Sequence, residues 1–205
     1  MRISGSKCRY CRREGVKLFL KGERCFSPKC PIERNGGIPP GVHGMKRKIK
    51  ISDFGAQLRE KQKLKRLYGV TERQLKAYYK NAAKERAATG EALLRQLEMR
   101  LDNVVFRGGL VPSRSVARQL VNHGNVRVNG KKIDIVSYQV KPGEMITLSD
   151  KGLKMGLIKA TLEAKPNIPG WIKKKAAVAK VDRQPQREEM ETMVNERLIV
   201  EFYSR

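Results

Sequence analysis

Apolar residues in the first half of the chain recur with the period of helices. The spacing predicts one helix from Ser52, which can cap it, to Gly69, which ends it. A second helix should follow at once, because Thr71 and Gln74 have the spacing of a capping box, and it should end before Gly90. A third helix is predicted over residues 91–106. These apolar positions recur along it: Leu93, Leu94, Leu97, Leu101 and Val105.

In the second half, the pattern changes to a short helix followed by the alternation of strands. The helix should begin after Ser113 and end at Gly124. Residues 125–128 then read as a strand, and Asn129-Gly130 is a strong hairpin signal. The pattern predicts two further strands, at 133–140 and 145–148. Helices beside a small antiparallel sheet make this region α+β.

Composition divides the chain into four regions. Residues 1–51 form an arm rich in cysteine, glycine, proline and basic residues, and residues 52–98 should form a helical domain. Residues 99–162 should form the α+β module. Residues 163–205 form a proline-containing C-terminal segment, with a short helix expected at 187–194.

The charge of the chain points to a polyanionic partner. Lys and Arg number 45 against 20 Asp and Glu, which gives a net charge of +25 over 205 residues. Residues 1–50 alone hold 14 basic and 3 acidic residues, a net charge of +11. A chain so charged repels itself unless a polyanion neutralises it. No apolar run approaches the length of a membrane span, so we expect a cytoplasmic protein that binds nucleic acid and not a membrane.

The four cysteines of the chain are Cys8, Cys11, Cys25 and Cys30. Two pairs at short spacing, joined by a loop, predict one structural zinc ion per chain with four sulfur ligands. An iron–sulfur cluster and free thiols are the alternatives. Because such a site has no open position, the metal would fold the arm and would not catalyse a reaction.

Basic residues around the cysteines, in the Gly/Pro loop and on the helices are the expected contacts with RNA. Arg114 and Arg118 share a helix face beside the hydroxyl of Ser113, where a helix N-terminus favours anions. His43 lies in a glycine-rich turn, and His123 lies at a helix end where a capping role is equally expected. The full predicted set is Arg9, Arg12, Arg13, Lys21, Arg24, His43, Lys46, Arg47, Lys48, Arg59, Lys63, Arg107, Ser113, Arg114, Arg118, Gln119, His123, Arg127, Asn129, Lys131 and Lys132.

Catalytic constellations are not recognisable in the sequence. The chain has no phosphate-binding loop, no dinucleotide-binding fingerprint and only two histidines. We therefore predict a protein that is not an enzyme and has no small-molecule substrate. Two alternatives remain: an RNA-modifying enzyme that carries the α+β module, and a zinc-containing regulator that binds duplex DNA.

Several segments resemble the S-four family of bacterial small-subunit ribosomal proteins. The RNA-binding module of that family is similar to residues 100–107 (RLDNVVFR), 113–124 (SRSVARQLVNHG) and 126–130 (VRVNG). Outside the module, similar stretches are residues 11–25 (CRREGVKLFLKGERC), 39–44 (PPGVHG), 57–62 (QLREKQ) and 195–205 (NERLIVEFYSR). The resemblance therefore covers nearly the whole chain.

The resemblance carries expectations that composition alone does not. It implies a helical domain that the C-terminal segment closes and into which the α+β module is inserted. It also implies binding to a helical junction in the 5′ domain of small-subunit rRNA, early in subunit assembly. Contact with ribosomal protein S-five and other small-subunit proteins, and a contribution to translational accuracy, follow from the same resemblance.

Overall fold

The structure is a computed structural model that describes residues 5–45, 50–164, 167–190 and 193–205. It divides into two compact units. Unit 1 comprises residues 1–92 and 193–205, and unit 2 comprises residues 93–192. No helix within the described ranges is both long enough and apolar enough to cross a membrane.

The described residues of unit 1 form helices and no strands, whereas unit 2 contains both helices and short antiparallel strands. The α-helices are α1 (Lys7–Glu14), α2 (Pro31–Asn35), α3 (Asp53–Tyr68), α4 (Glu72–Ala82), α5 (Thr89–Glu98), α6 (Leu101–Arg107), α7 (Arg114–Asn122), α8 (Asp150–Leu153), α9 (Gly156–Glu163) and α10 (Glu196–Ser204). The strands are β1 (Val126–Val128), β2 (Lys131–Lys132), β3 (Met145–Leu148), β4 (Ile172–Lys175) and β5 (Val178–Val181). The prediction of an α+β chain is confirmed.

The first two predicted helices of unit 1 are confirmed with their caps. The hydroxyl of Ser52 accepts the N–H of Gly55 at the start of α3, and Gly69 ends that helix with a left-handed backbone. Thr71 and Gln74 form the capping box at the start of α4. Helix α10 packs on α3 and α4, and the buried Ile199 contributes to this core. The sequence pattern did not predict α10 as a separate helix.

In unit 2, the single helix predicted at 91–106 is interrupted at Met99 and Arg100. Arg100 has an extended backbone and forms an isolated bridge with Gln139, while Leu101 donates its N–H to the carbonyl of Tyr138. Because Arg100 and Leu101 bond to the backbone of residues 138–139, the helix is broken here, and α5 and α6 are separate helices. The strand predicted at 133–140 is wrong. This segment makes scattered backbone contacts, among them the N–H of Val140 donating to the carbonyl of Met99, and not a continuous ladder.

A five-stranded antiparallel sheet in the order β2-β1-β3-β5-β4 forms the centre of unit 2. The predicted Asn129-Gly130 turn joins β1 to β2, with φ angles of 49° and 80° at its two residues. One face of the sheet packs on α6 and α7 through side chains that include Val126, Ile146 and Val181. Gly108 lies so close to this sheet that a Cβ there would be 2.8 Å from the Cβ of Ala179.

The segment 163–205 differs from the prediction that it returns as a whole to the helical domain. Its strands β4 and β5 form a hairpin that completes the sheet of unit 2, and only residues 193–205 belong to unit 1. The hairpin turn contains Ala176 with φ of 53°, so no glycine or asparagine marks it in the sequence. The short helix expected at 187–194 is a 3-10 helix over Arg187–Glu189.

Candidate RNA-binding site

A buried carboxylate, Asp102, lies between two arginines in unit 2. Arg118 of α7 donates to it from Nε at 3.1 Å and from Nη2 at 2.5 Å. Arg100 donates from Nε at 3.1 Å and from Nη2 at 3.2 Å. The side chain of Asp102 is 3% exposed, whereas that of Arg118 is 30% exposed. The buried acid therefore fixes a guanidinium group that reaches the surface.

A second buried carboxylate, Glu98, orients Arg107 directly and Arg114 through the amide of Asn103. Arg107 donates to it from Nε at 3.2 Å and from Nη2 at 2.9 Å, and Asn103 donates to it at 2.5 Å. The amide oxygen of Asn103 in turn accepts the Nε of Arg114 at 2.7 Å. The guanidinium of Arg114 also lies 4.7 Å from the centre of the Phe106 ring.

These contacts define a guanidinium array, by which we mean Arg107, Arg114 and Arg118. Counting the buried Arg100, this cluster holds four arginines and two carboxylates, Glu98 and Asp102, so it keeps an excess of two positive charges. Planar guanidinium groups recognise phosphate oxygens with defined geometry, and fixing them in advance lowers the entropy lost on binding. The array is therefore suited to hold a phosphate backbone.

The other predicted residues of the module lie around α7 and the first hairpin. Ser113 is buried, and its hydroxyl accepts the N–H of Val116 as a helix cap. Asn129 is also occupied structurally, because its side chain accepts the N–H of Met145 in the hairpin. These predicted residues are exposed: Gln119, His123, Arg127, Lys131 and Lys132.

In the arm, most of the predicted basic residues that the structure describes are exposed, but Arg12 makes hydrogen bonds that stabilise the fold. Arg12 donates to the carbonyls of Ile38 at 2.9 Å and Pro39 at 3.2 Å, so it anchors the Gly/Pro loop. Gly44 is required in that loop, since any Cβ there would overlap the Pro39 carbonyl oxygen. The exposed predicted residues are Arg9, Arg13, Lys21, Arg24 and His43. The predicted residues Lys46, Arg47 and Lys48 lie outside the described residues.

On α3, two predicted RNA contacts are half-buried and form ion pairs. Arg59 lies 3.7 Å from the carboxylate of Glu14, which also pairs with Arg66. Lys63 donates to Glu60 at 2.5 Å and to the carbonyl of Met193 at 3.3 Å. Burial raises the pKa of Glu14 despite its arginine partners. Arg59 and Lys63 therefore contribute to the packing of unit 1.

The four cysteines line one small cavity of the arm. Helix α1 brings Cys8 and Cys11 to the same face, Cys25 ends the 3-10 helix Gly22–Cys25, and Cys30 precedes α2. The thiols are free, and the N–H of Lys21 donates to the sulfur of Cys25 at 3.4 Å. Burial raises the pKa of Cys11. A backbone hydrogen bond with Leu18 lowers it, and the neighbouring thiols raise it further, so that the net shift is upward.

The donor set of this cavity fits a thiophilic metal, because four sulfurs and no carboxylate line it. In the arrangement that the structure describes, however, no group of three or more His, Cys, Asp or Glu side chains is placed to hold a metal ion, within the described residues. The four cysteines share one cavity, and coordination of zinc by them stays a prediction.

Sequence patterns did not reveal the acidic and amide side chains that hold the guanidinium array in place. Glu98, Asp102 and Asn103 look like ordinary surface positions of a helix when only their spacing is considered. Their burial follows from the break at Arg100, which no local pattern predicts.

An α+β unit with a packed helix pair and a fixed arginine array suits a basic protein that binds nucleic acid. Residues 2–98 match the family described as ribosomal protein S4/S9 N-terminal domain, and residues 99–146 match the S4 domain. Together these matches cover more than half of the chain.

Full-length relatives agree with the two domain matches. The chain is 53% identical over 206 residues to small ribosomal subunit protein uS4A of Clostridium botulinum, and 52% identical over 206 residues to small ribosomal subunit protein uS4 of a Thermoanaerobacter species. It is 49% identical over 208 residues to the uS4 protein of Thermus thermophilus. Each comparison covers 100% of this chain and 99% of the relative. The chain belongs to the ribosomal protein uS4 family, whose members are structural proteins and not enzymes.

Proposed function

We propose that this protein is a structural constituent of the small ribosomal subunit that binds small-subunit rRNA directly. Full-length identity of about one half to proteins named for that subunit carries the proposal. The relatives are bacterial, so the protein works in the cytoplasm. An RNA-modifying enzyme is disfavoured, because the relatives that match the whole of this chain are named as small ribosomal subunit proteins.

The physical chemistry of the chain supports rRNA as the partner. A net charge of +25 needs a polyanion, and the guanidinium array offers fixed donors for phosphate oxygens. Exposed basic residues occur both in the arm and in unit 2, which suits a folded RNA with several helices better than one groove of a DNA duplex.

The finer position in the subunit rests on the resemblance of residues 100–130 and 195–205 to the family. On that basis, the protein binds a helical junction of the rRNA 5′ domain and nucleates assembly there. It also contacts ribosomal protein S-five and contributes to translational accuracy. Acidic residues at the surface, such as Glu188 and Glu201, support contact with a protein more than with phosphates.

The arm is proposed to hold one zinc ion through Cys8, Cys11, Cys25 and Cys30. When bound, the ion would supply a closed structural crosslink and no chemistry of its own. Four thiols on one cavity, in a segment with few buried apolar side chains, support this proposal. An iron–sulfur cluster is the alternative that the same ligands allow.

A copurification experiment tests the proposed function. The tagged full-length chain is expressed in a bacterial host, and particles are separated on a sucrose gradient at moderate salt. We expect the chain in the small-subunit fraction and in its assembly precursors. A chain found only among free proteins, or displaced from rRNA equally well by duplex DNA, would contradict the proposal.

A further inference from the structure

The face of the sheet opposite the helices is open and basic. Alternation along each strand turns Arg127 of β1, Lys180 of β5, and Lys173 and Lys175 of β4 to this face, while their neighbours Val126, Val128, Ala179, Val181 and Ile172 are buried. We name Arg127, Lys173, Lys175 and Lys180 the sheet-face cations. Thr147, Val178 and the half-exposed Met145 lie between them.

The strand register holds some of these like charges directly side by side. Lys173 and Lys180 are cross-strand partners in the β4–β5 hairpin, and Lys180 also pairs with Met145 across β3. Arg127 is the cross-strand partner of Lys132 at the other edge of the sheet. Like charges opposite each other destabilise a sheet, so this arrangement carries a cost in the protein alone.

One carboxylate, Asp182, neutralises part of this face. It pairs with Lys173 at 2.9 Å, and the charges of Lys173 and Lys180 both lower its pKa, but it is exposed and supplies one negative charge to four cations. Among the described residues, no carboxylate forms an ion pair with Arg127, Lys175 or Lys180. The next lysine, Lys174, points the other way, where its ammonium group donates to the carbonyl of Gly109 at 2.9 Å. The cations are thus sorted to one face by the strand alternation.

We infer that this sheet face is a second RNA-binding surface, which takes the phosphate backbone of an rRNA strand across β1, β3, β5 and β4. The inference rests on the proposed function and adds Lys173, Lys175 and Lys180 to it, residues that lie outside the predicted RNA-binding set. Neighbouring strands are about 4.8 Å apart, and alternate residues of one strand about 7 Å apart. Cations on such a grid meet successive phosphates along a strand, and the exposed Met145 offers an apolar contact between them.

An anionic protein surface would also be attracted, but RNA fits the observations better. A protein partner usually covers an apolar centre with a rim of charges. Here the middle strand β3 presents Met145 and Thr147, and the cations lie beside them on β1, β5 and β4. Met145 and Val178 are the two apolar side chains of this face, which is less apolar area than the centre of a protein interface needs. A polyanion relieves the repulsion between Lys173 and Lys180, whereas a mixed protein surface would do so only in part.

The test compares two triple variants of the full chain. One carries Lys173→Gln, Lys175→Gln and Lys180→Gln. The matched control carries Lys151→Gln, Lys154→Gln and Lys159→Gln, which removes the same charge from exposed positions on or beside α8 and α9 in the same unit. Affinity for a transcript of the small-subunit rRNA 5′ domain is measured between 50 and 300 mM KCl, together with the thermal midpoint of each protein without RNA.

The sheet-face variant should flatten the slope of log affinity against log salt by about two to three, since each phosphate contact contributes about 0.7 to 0.9. The control should change the slope by about half a unit or less. The thermal midpoint of the sheet-face variant should change little, because the relief of repulsion between Lys173 and Lys180 is offset by loss of the exposed Lys173–Asp182 ion pair. Loss of binding at unchanged stability distinguishes a binding surface from a structural one.

Equal changes of slope in the two triple variants, or no change in either, would overturn the inference. If the sheet-face triple unfolds more readily than the control, the single variant Lys180→Gln decides, with an expected flattening of about one. Wild-type protein that shows no salt-dependent affinity for the transcript would overturn the proposed function itself. Wild-type binding with an unaffected sheet-face variant would overturn only the inference about the sheet face.

Discussion

Arg118 and Asp102 lie 16 residues apart in the chain and are joined by hydrogen bonds of 3.1 and 2.5 Å. Asp102 is buried and Arg118 reaches the surface, so the buried carboxylate holds the exposed positive charge of Arg118 in a fixed orientation. Glu98 does the same for Arg107. The fold of unit 2 thereby determines the orientation of the groups that meet RNA.

Replacing Arg118 should weaken RNA binding more than removing an equivalent surface charge. We expect Arg118→Gln to reduce affinity for the rRNA 5′ domain by roughly tenfold, because a charged hydrogen bond contributes about 1.5 to 3 kcal/mol. Lys159→Gln is the matched control on α9. Filter binding at 150 mM KCl measures both. Equal losses would mean that overall charge, and not the guanidinium array, determines affinity.

Removal of the buried acid should destabilise unit 2. Asp102→Asn removes a buried negative charge that pairs with the buried Arg100, so we expect the free energy of unfolding to fall by about 3 kcal/mol. Urea denaturation followed by circular dichroism measures the change. The exposed Asp134→Asn should change it by less than about 0.5 kcal/mol. A loss at Asp102 as small as that of the control would show that the pair does not hold the fold.

The stability of unit 1 should depend on pH through Glu72. Burial alone would raise its pKa, but hydrogen bonds from Lys61, Tyr203 and Lys65 outweigh burial and lower it. A carboxyl with a lowered pKa stabilises the folded state above its ordinary pKa near 4.5, and this stabilisation is lost as pH falls through the folded pKa.

The measurement is the urea midpoint of the protein without RNA, between pH 6 and pH 3.5. Glu72→Gln should lose less stability over this range than the wild type does. The exposed Glu163→Gln should retain the wild-type dependence. Identical profiles for wild type and Glu72→Gln would refute the role of this carboxylate.

Metal content tests the proposal for the arm. We expect one equivalent of zinc in the purified full-length protein and a large loss of it in Cys25→Ser, with unit 2 still folded. Ser27→Ala, close by on the same loop, should keep the metal. Elemental analysis by mass spectrometry measures the content. Absence of zinc from wild type, or iron with a visible absorption band, would contradict the zinc proposal.

Local patterns predicted the elements whose signals lie within a few residues. Ser52, the Thr71 and Gln74 pair and the Asn129-Gly130 turn each act through adjacent backbone groups, and all are found as predicted. The break at Arg100 and the β4–β5 hairpin depend on partners distant in the chain. The run Lys173-Lys174-Lys175 also conceals the strand alternation, because its inward residue is a lysine.

Charge and residue type gave the kind of partner but not the use of each basic residue. Arg12 holds a loop, and Arg59 and Lys63 form ion pairs within unit 1, roles that the sequence did not reveal; their predicted contact with RNA stays a prediction. The sequence does not show which group an arginine will hydrogen-bond or ion-pair with, because that partner is brought close only when the chain packs. The lysines of the sheet face show the converse, because only the strand register reveals that they share one surface.

The salt dependence of rRNA binding tests the central claim most directly. Affinity of the full-length protein for the small-subunit rRNA 5′ domain is measured over 50 to 300 mM KCl. Neutralisation of about ten phosphates predicts a slope of about −7 to −9 for log affinity against log salt, with tighter binding than to duplex DNA of equal length. A slope near zero, or equal affinity for the DNA, would contradict the account.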